Sequence, residues 1–175
     1  VFVESRSKPL GDVPNMIYGS KPADGGRLFI EEEDYADFIK KEPGALPYIK
    51  RLVGAEEFIN NKPRYCLWLV DASPAVIRKL PLVLQRVEAV RTFRLASKKE
   101  ATRKDADTPT LFQSNRQPKE NYILVPSVSS ERRKYVPIGF MDADTIATNL
   151  VLIIPTADLY HFGILTSSVH NAWMR

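Results

Sequence analysis

Apolar positions along the chain alternate between helical and strand spacing, and the changes fall at turn-forming residues. The opening stretch up to Gly26 is rich in Pro, Gly, Asp and Ser, and Lys21-Pro22-Ala23-Asp24-Gly25-Gly26 is a strong turn signal before a short strand at Leu28-Phe29-Ile30. Tyr35, Phe38 and Ile39 follow at i, i+3 and i+4, predicting a helix capped by Asp34 and stopped at Glu42-Pro43-Gly44. A second helix is expected over residues 47–59, with Pro47 in its first turn and Asn60-Asn61-Lys62-Pro63 as its exit. Residues 64–70 form a near-continuous apolar run without breakers, the pattern of a strand buried on both faces with Trp68 in the core.

Asp71-Ala72-Ser73-Pro74 supplies an N-cap and a first-turn proline for a helix that must kink or restart at Pro81 and then continue towards Ser97. Residues 98–121 are polar and interrupted by Pro109 and Pro118, and read as a long loop with little order of its own. Three strands are expected at 122–126, 134–140 and 145–154, pairing antiparallel across short turns. After Gly163 a last helix is expected to bury Leu165, Val169, Ala172 and Trp173. The expected fold is α+β, a mostly antiparallel sheet flanked by helices. It forms a single compact domain over residues 31–175 behind an extended lead-in over residues 1–30.

Composition narrows the classes. With 175 residues, 44% hydrophobic and 26% charged, the chain has the make-up of one folded globular domain. A single cysteine, Cys66, excludes an internal disulfide and a cysteine-pair zinc site, and favours a reducing, cytoplasmic setting. The longest apolar run, residues 150–154, is far short of the roughly 20 residues that span a bilayer, so no membrane partner is expected. The chain lacks an initiator Met, and Trp173-Met174-Arg175 falls inside a helical pattern, so it reads as a piece of something longer.

Catalytic patterns are missing from the sequence. His161 and His170 are the only histidines, and no cysteine pair joins them for a metal. Ser167 and His170 lie one helical turn apart but have no third group to orient them. No Gly-x-Gly-x-x-Gly or Walker-type run occurs, no Asp/Asn-Pro-Pro-aromatic methyltransferase motif, and no convincing nuclease-type pairing of acids with a lysine. The expectation is a chain with no catalytic, cofactor-binding or metal-binding residues of its own.

The net charge of +4 favours an anionic partner only weakly, but the charge is segregated. Residues 31–42 carry six acids against two lysines, whereas residues 86–104 carry seven bases against two acids. On a continuous helix the face of Leu80, Leu84 and Val87 passes into Arg91, Arg94 and Lys98, so that an apolar seam becomes a basic one. Either these cations face phosphates, or they are a solvated helix end complementing the dipole. The expected loop at 127–135 gathers Ser127, Ser129, Ser130, Arg132, Arg133, Lys134 and Tyr135. These groups suit phosphate contacts and groove readout, and equally suit a plain charged hairpin loop.

Several phrases resemble one known family. They are Asn15-Met16-Ile17-Tyr18-Gly19-Ser20-Lys21-Pro22 with Asp24-Gly25-Gly26, Gly54-Ala55-Glu56-Glu57-Phe58-Ile59, and Arg64-Tyr65-Cys66-Leu67-Trp68-Leu69. They continue with Ser129-Ser130-Glu131-Arg132-Arg133, Tyr135-Val136-Pro137-Ile138-Gly139-Phe140, and Phe162-Gly163-Ile164-Leu165-Thr166-Ser167, then His170 and Trp173. The chain resembles the target-recognition domain of the MmeI-like (type IIG/IIL) restriction-modification enzymes, single chains that combine nuclease, N6-adenine methyltransferase and recognition modules. The resemblance implies duplex DNA as partner, catalytic modules upstream in the same parent chain, and recognition residues continuing beyond Arg175. It implies S-adenosylmethionine and magnesium for the parent chain, and no cofactor for this part of it. It places base readers near Ser127 and near Asn149-Leu150, and Asn can pair bidentately with adenine.

Two other classes compete with that reading. An RNA-binding module would need exposed aromatic rings for stacking, and Trp68 and Phe93 look buried or helix-bound. A protein-interaction domain would use the acidic helix at 31–42 and would ignore polyanions.

Overall fold

A strand buried on both faces needs packed layers above and below it, and its buried backbone needs hydrogen-bonding partners at both edges; here the strands meet those needs in two sheets. The computed structural model describes Pro9 and residues 11–174; residues 1–8 and 10 of the expected lead-in, and Arg175, lie outside the described residues. In chain order the strands are β1 (Ile17–Tyr18), β2 (Phe29–Glu31), β3 (Ile49–Val53), β4 (Arg64–Leu67), β5 (Tyr122–Pro126), β6 (Gly139–Met141), β7 (Ile146–Ala147) and β8 (Val151–Ile154). The helices are α1 (Glu32–Lys41), α2 (Ala55–Asn60), α3 (Pro74–Ile77), α4 (Pro81–Leu95), α5 (Glu100–Lys104), α6 (Leu159–Thr166) and α7 (Ser168–Trp173). One sheet has the order β1-β8-β5-β6 and is antiparallel throughout; the other has the order β2-β4-β3-β7, with only the β3/β7 pair parallel. The α+β class with antiparallel sheets and flanking helices is therefore observed.

Strand β5 is buried along its whole length, and its alternation divides two cores. Tyr122 and Leu124 pack with Val53, Ala147, Val151 and Ile153, while Ile123 and Val125 pack on the opposite face with Ile154 and Ala157, beneath Phe162 and Leu165 of α6. The other sheet packs against α1 and α4 through Leu28, Ile30, Phe38, Leu67, Val83, Val87 and Val90.

Helix α4 begins where Pro81 dictates, after the short α3 capped by the Ser73 hydroxyl. Its first turn is capped from a distance. The buried Glu42, just past α1, accepts hydrogen bonds from Leu82 N (2.9 Å) and Val83 N (2.8 Å), where the helix dipole and free N–H groups favour a carboxylate.

The expected basic seam is corrected at Arg94. The buried stripe of α4 runs Val83, Val87, Val90, Arg94, so the apolar face continues to the helix end and carries the guanidinium inward. Arg94 is 0% exposed and cannot touch a phosphate. All five of its N–H donors are satisfied by carbonyl oxygens: Nε by Ala23 (3.1 Å), one terminal nitrogen by Asp105 and Thr108 (both 2.9 Å), the other by Pro22 (2.9 Å) and Leu111 (2.7 Å). Burial lowers its pKa and the nearby Asp105 and Asp24 raise it again, but with so high an ordinary pKa the group stays charged. Arg86 is also structural, donating to the carbonyls of Arg27 (2.9 Å) and Phe29 (2.8 Å).

Other expectations change for related reasons. The single helix at 47–59 is instead a 3-10 segment (Pro43–Tyr48), strand β3 and helix α2, because strand pairing of Ile49–Val53 with β4 and β7 outweighs local helix propensity. Helix α1 starts at Glu32, which puts Asp34 in its first turn and not at its cap. Strand β4 ends at Leu67, and Trp68 is only half-buried, packing edge-on against Phe112. The strand expected at 134–140 shrinks to β6, and that at 145–154 divides into β7 and β8. From Ile17 the expected lead-in is drawn into the fold, because β1 pairs with β8. The loop at 98–121 is ordered by its ends: Arg94 gathers Asp105, Thr108 and Leu111, and the Gln117 amide pairs with the edge of β7 through Thr145 O (2.8 Å) and Ala147 N (3.1 Å).

If Arg94 is the clasp for these segments, Arg94→Lys should fail to replace it, because an ammonium has three donors and no fork. The expected cost is about 3 kcal/mol or more, against about 0.5 kcal/mol or less for Arg91→Ala, by urea denaturation. Equal midpoints for Arg94→Lys and the parent chain would refute the role.

Candidate nucleic-acid interface

Strand β7 belongs to one sheet and β8 to the other, so the chain crosses between sheets in the turn at 148–151. Val151 N donates to Thr148 O (3.2 Å) and closes this turn, with Asn149 and Leu150 as its two central residues. Its backbone is tied down: Thr148 N donates to Val53 O (2.9 Å), and Leu150 N to Thr148 Oγ1 (3.3 Å). The side chains at its tip are free. Leu150 is 61% exposed, and the Asn149 amide has no hydrogen bond among the described residues.

Ser127, just beyond the Pro126/Val151 register pair, lies against this turn. Its hydroxyl donates to Leu150 O at 2.6 Å, so residues 23 positions apart in sequence share one edge. That bond commits the only proton of the hydroxyl and leaves oxygen lone pairs for an outside donor. In the major groove of DNA such donors are the amino groups of adenine and cytosine.

The opposite flank of the turn is built by β1. Gly19 N donates to Val151 O (3.1 Å) and the buried Ser20 N to Ala147 O (2.7 Å). A Cβ on Gly19 would stand 2.4 Å from Thr148 O, so only glycine permits this approach. Beside it lies a cleft of about 290 Å³ lined by Tyr18, Gly19, Lys21, Ser114, Arg116 and Asn149. Lys21 and Ser114 exchange backbone hydrogen bonds (3.0 and 3.1 Å), and Arg116 N donates to Ser20 Oγ (3.0 Å). Sequence reasoning missed Lys21 and Arg116. One sat in a turn signal and the other in a loop expected to carry little order of its own, and only the pairing of distant segments unites them.

The remaining predicted residues fall into separate groups. Ser129, Ser130, Arg132, Arg133 and Lys134 all lie in the β5–β6 loop, whose far end is fixed by Val136 N donating to Asn171 Oδ1 (2.7 Å). Ser130, Glu131 and Arg133 line a cavity of about 480 Å³ there with Asn171, and Ser129 Oγ is buried without a hydrogen bond. Lys134 lies over the Tyr135 ring at 5.5 Å, and Arg132 is exposed. Arg91 and Lys98 are exposed at the end of α4 and just beyond it, with no hydrogen bond or ion pair to the Ser127–Asn149 edge.

Both histidines have local structural partners. His161 pairs with Asp158 at 2.6 Å in the cap of α6, and the backbone N–H of His161, followed by its ring, lowers the Asp158 pKa. His170 Nδ1 bonds Leu165 O (2.9 Å), while Ser167 Oγ caps α7 by accepting from His170 N (3.1 Å), so Ser167 is a cap and not a partner for the imidazole. Among the described residues there is no cluster of three or more His, Cys, Asp or Glu placed to hold a metal, and no helix long and apolar enough to cross a membrane. The stripe expected to be buried in the last helix is corrected too. Val169 and Trp173 are 79% and 81% exposed, because Leu165 belongs to α6, which ends at Thr166, and α7 restarts after the extended Ser167 with another orientation.

A polar edge at a sheet junction, with an unpaired amide and unpaired cations beside it, has the make-up of a recognition surface. Comparison with known proteins identifies the family. The family model described as "MmeI, target recognition domain" matches residues 1–175, and the chain belongs to that family. It is 41% identical over 175 residues to DNA methyltransferase A of Bacillus subtilis (strain 168), covering 100% of this chain and 20% of that protein. It is also similar to a solved structure of the type IIL restriction-modification enzyme MmeI in complex with DNA, with a TM-score of 0.92, 44% identity, and coverage of 100% of this chain and 23% of that one. The chain thus spans about a fifth of the length of the relatives it matches.

The close approach at Gly19 can be tested directly. Gly19→Ala should push β1 off the turn at a cost of about 1–3 kcal/mol and speed amide exchange at Val151 and Leu150. Unchanged exchange at both amides would show that β1 does not brace the turn.

Proposed function

We propose that this domain reads a base sequence in duplex DNA for nuclease and N6-adenine methyltransferase modules elsewhere in a longer chain. The observation that carries the reading is the junction of Ser127 with the Asn149–Leu150 turn. A hydroxyl with its proton committed and an amide with neither end committed stand side by side on a braced backbone. Phosphate contacts position a protein on DNA, and groups of this kind discriminate bases. Exposed Arg91 and Lys98 at the end of α4, and Ser130, Arg132, Arg133 and Lys134 in the β5–β6 loop, are placed for backbone contacts, whereas the Ser129 hydroxyl is buried. In this reading S-adenosylmethionine and magnesium serve the catalytic modules, and the protein acts in the cytoplasm.

The RNA-binding and protein-interaction readings are less well supported. Trp68 packs on Phe112, and Phe93, though exposed, is held on α4 with the Arg27 guanidinium over its ring at 4.9 Å; in the acidic segment Glu31 pairs with Arg64 (2.7 Å) while Glu42 caps α4.

Asn149 supplies the test. A good bidentate base contact discriminates by about 1–3 kcal/mol, so Asn149→Ala in the full-length protein should relax one base preference by roughly ten- to a hundredfold and leave folding intact. Methylation would be scored on sites varied one base at a time. Equal weakening at every position would remove Asn149 from base readout.

A further inference from the structure

We infer that Lys21 and Arg116 form a clamp for one backbone phosphate of the DNA, set beside the base-reading turn; the inference rests on the duplex-DNA reading above. Phosphate is the chemistry the cleft selects. Its lining contains two cationic side chains, one serine, one exposed tyrosine and one amide, and no carboxylate. Neither cation has a hydrogen bond or ion pair among the described residues, in a chain where Lys41, Lys50, Lys62, Arg64 and Lys104 all find acidic partners. Two unpaired cations converging on one cleft repel each other, and a shared anion removes that repulsion.

The cleft is built on braced backbone. Lys21 is locked to Ser114 by a reciprocal pair of backbone bonds, Arg116 hangs from the buried Ser20 hydroxyl, and Ser20 is itself bonded to Ala147 at the foot of the turn. The backbone positions that carry the cations therefore stand at a fixed offset from Asn149, which lines the same cleft. A phosphate held there would fix the register of the strand whose neighbouring base meets the Asn149 amide. Lys21 contributes a point charge and Arg116 a planar fork that can engage two phosphate oxygens. Neither reads a base, so this site supplies grip and register without sequence choice.

The clamp predicts a signature distinct from that of Asn149. In the full-length protein, Lys21→Ala and Arg116→Ala should each weaken binding to every duplex, cognate or not, by about tenfold. Each should flatten the plot of log affinity against log salt by up to one unit, and the double variant by about one unit in total, because the two cations neutralise a single phosphate. Lys21→Arg should keep the slope. Both side chains are exposed, so thermal midpoints should match the parent's, and the binding measurement stands independently of folding.

Unchanged affinity and slope in the alanine variants, with Asn149→Ala still shifting base preference, would overturn the clamp and leave the recognition reading standing. A full-length protein that binds no duplex DNA would overturn both. A change confined to one base position would also overturn the clamp, since it would make Lys21 or Arg116 a reader.

Discussion

A guanidinium carried into the interior must find an oxygen for each N–H it brings, since an unsatisfied buried donor costs more than most single contacts return. Arg94 meets that demand with five carbonyls drawn from two stretches of chain, 22–23 and 105–111, that share no strand with α4 or with each other. The position of the turn at 21–26 and of the segment leading to β5 both follow from it. Through Pro22 and Ala23 it places Lys21; through Leu111 it starts the run that reaches Ser114, Arg116 and Gln117. The cleft beside Asn149 is thus assembled by a residue that never touches it.

The second dependence is the crossover between sheets. Because β7 pairs with β3 and β8 pairs with β5, the intervening turn cannot move without breaking one sheet or the other. Gln117 and Ser20 both bond Ala147 and together close the edge of β7 that β3 leaves open. The fold spends its rigidity at the place where the proposed recognition groups stand.

Much of the architecture was legible because it rests on local chemistry. Pro81 must restart a helix, Ser73-Pro74 must begin one, and the breaker-free apolar run at Tyr122–Pro126 must be a strand. Elements set by distant pairing were not legible: β3 looked like helix until β4 and β7 flanked it, and β1 looked like linker until β8 took it up. Arg94 shows the same limit at one residue. A basic side chain on an amphipathic stripe reads as solvent-facing, and a one-residue difference in helix phase, Val83 and Val90 in place of Leu84 and Arg91, turns it inward. Ser127 and Asn149-Leu150 were reached through family resemblance. Their adjacency, and the cleft containing Lys21 and Arg116, needed the three-dimensional pairing of segments.

The turn at 148–151 also separates two kinds of constraint that usually conflict. Its shape is fixed by main-chain bonds and by the Thr148 hydroxyl, none of which involves the side chains of Asn149 or Leu150. Those two positions are therefore nearly free of the stability threshold that restrains change elsewhere in a folded chain. A lineage can exchange the residues there, generation by generation, while its hydrophobic cores stay the same. Diversity at such a tip accumulates at the rate set by what the domain must bind, not by what it must survive.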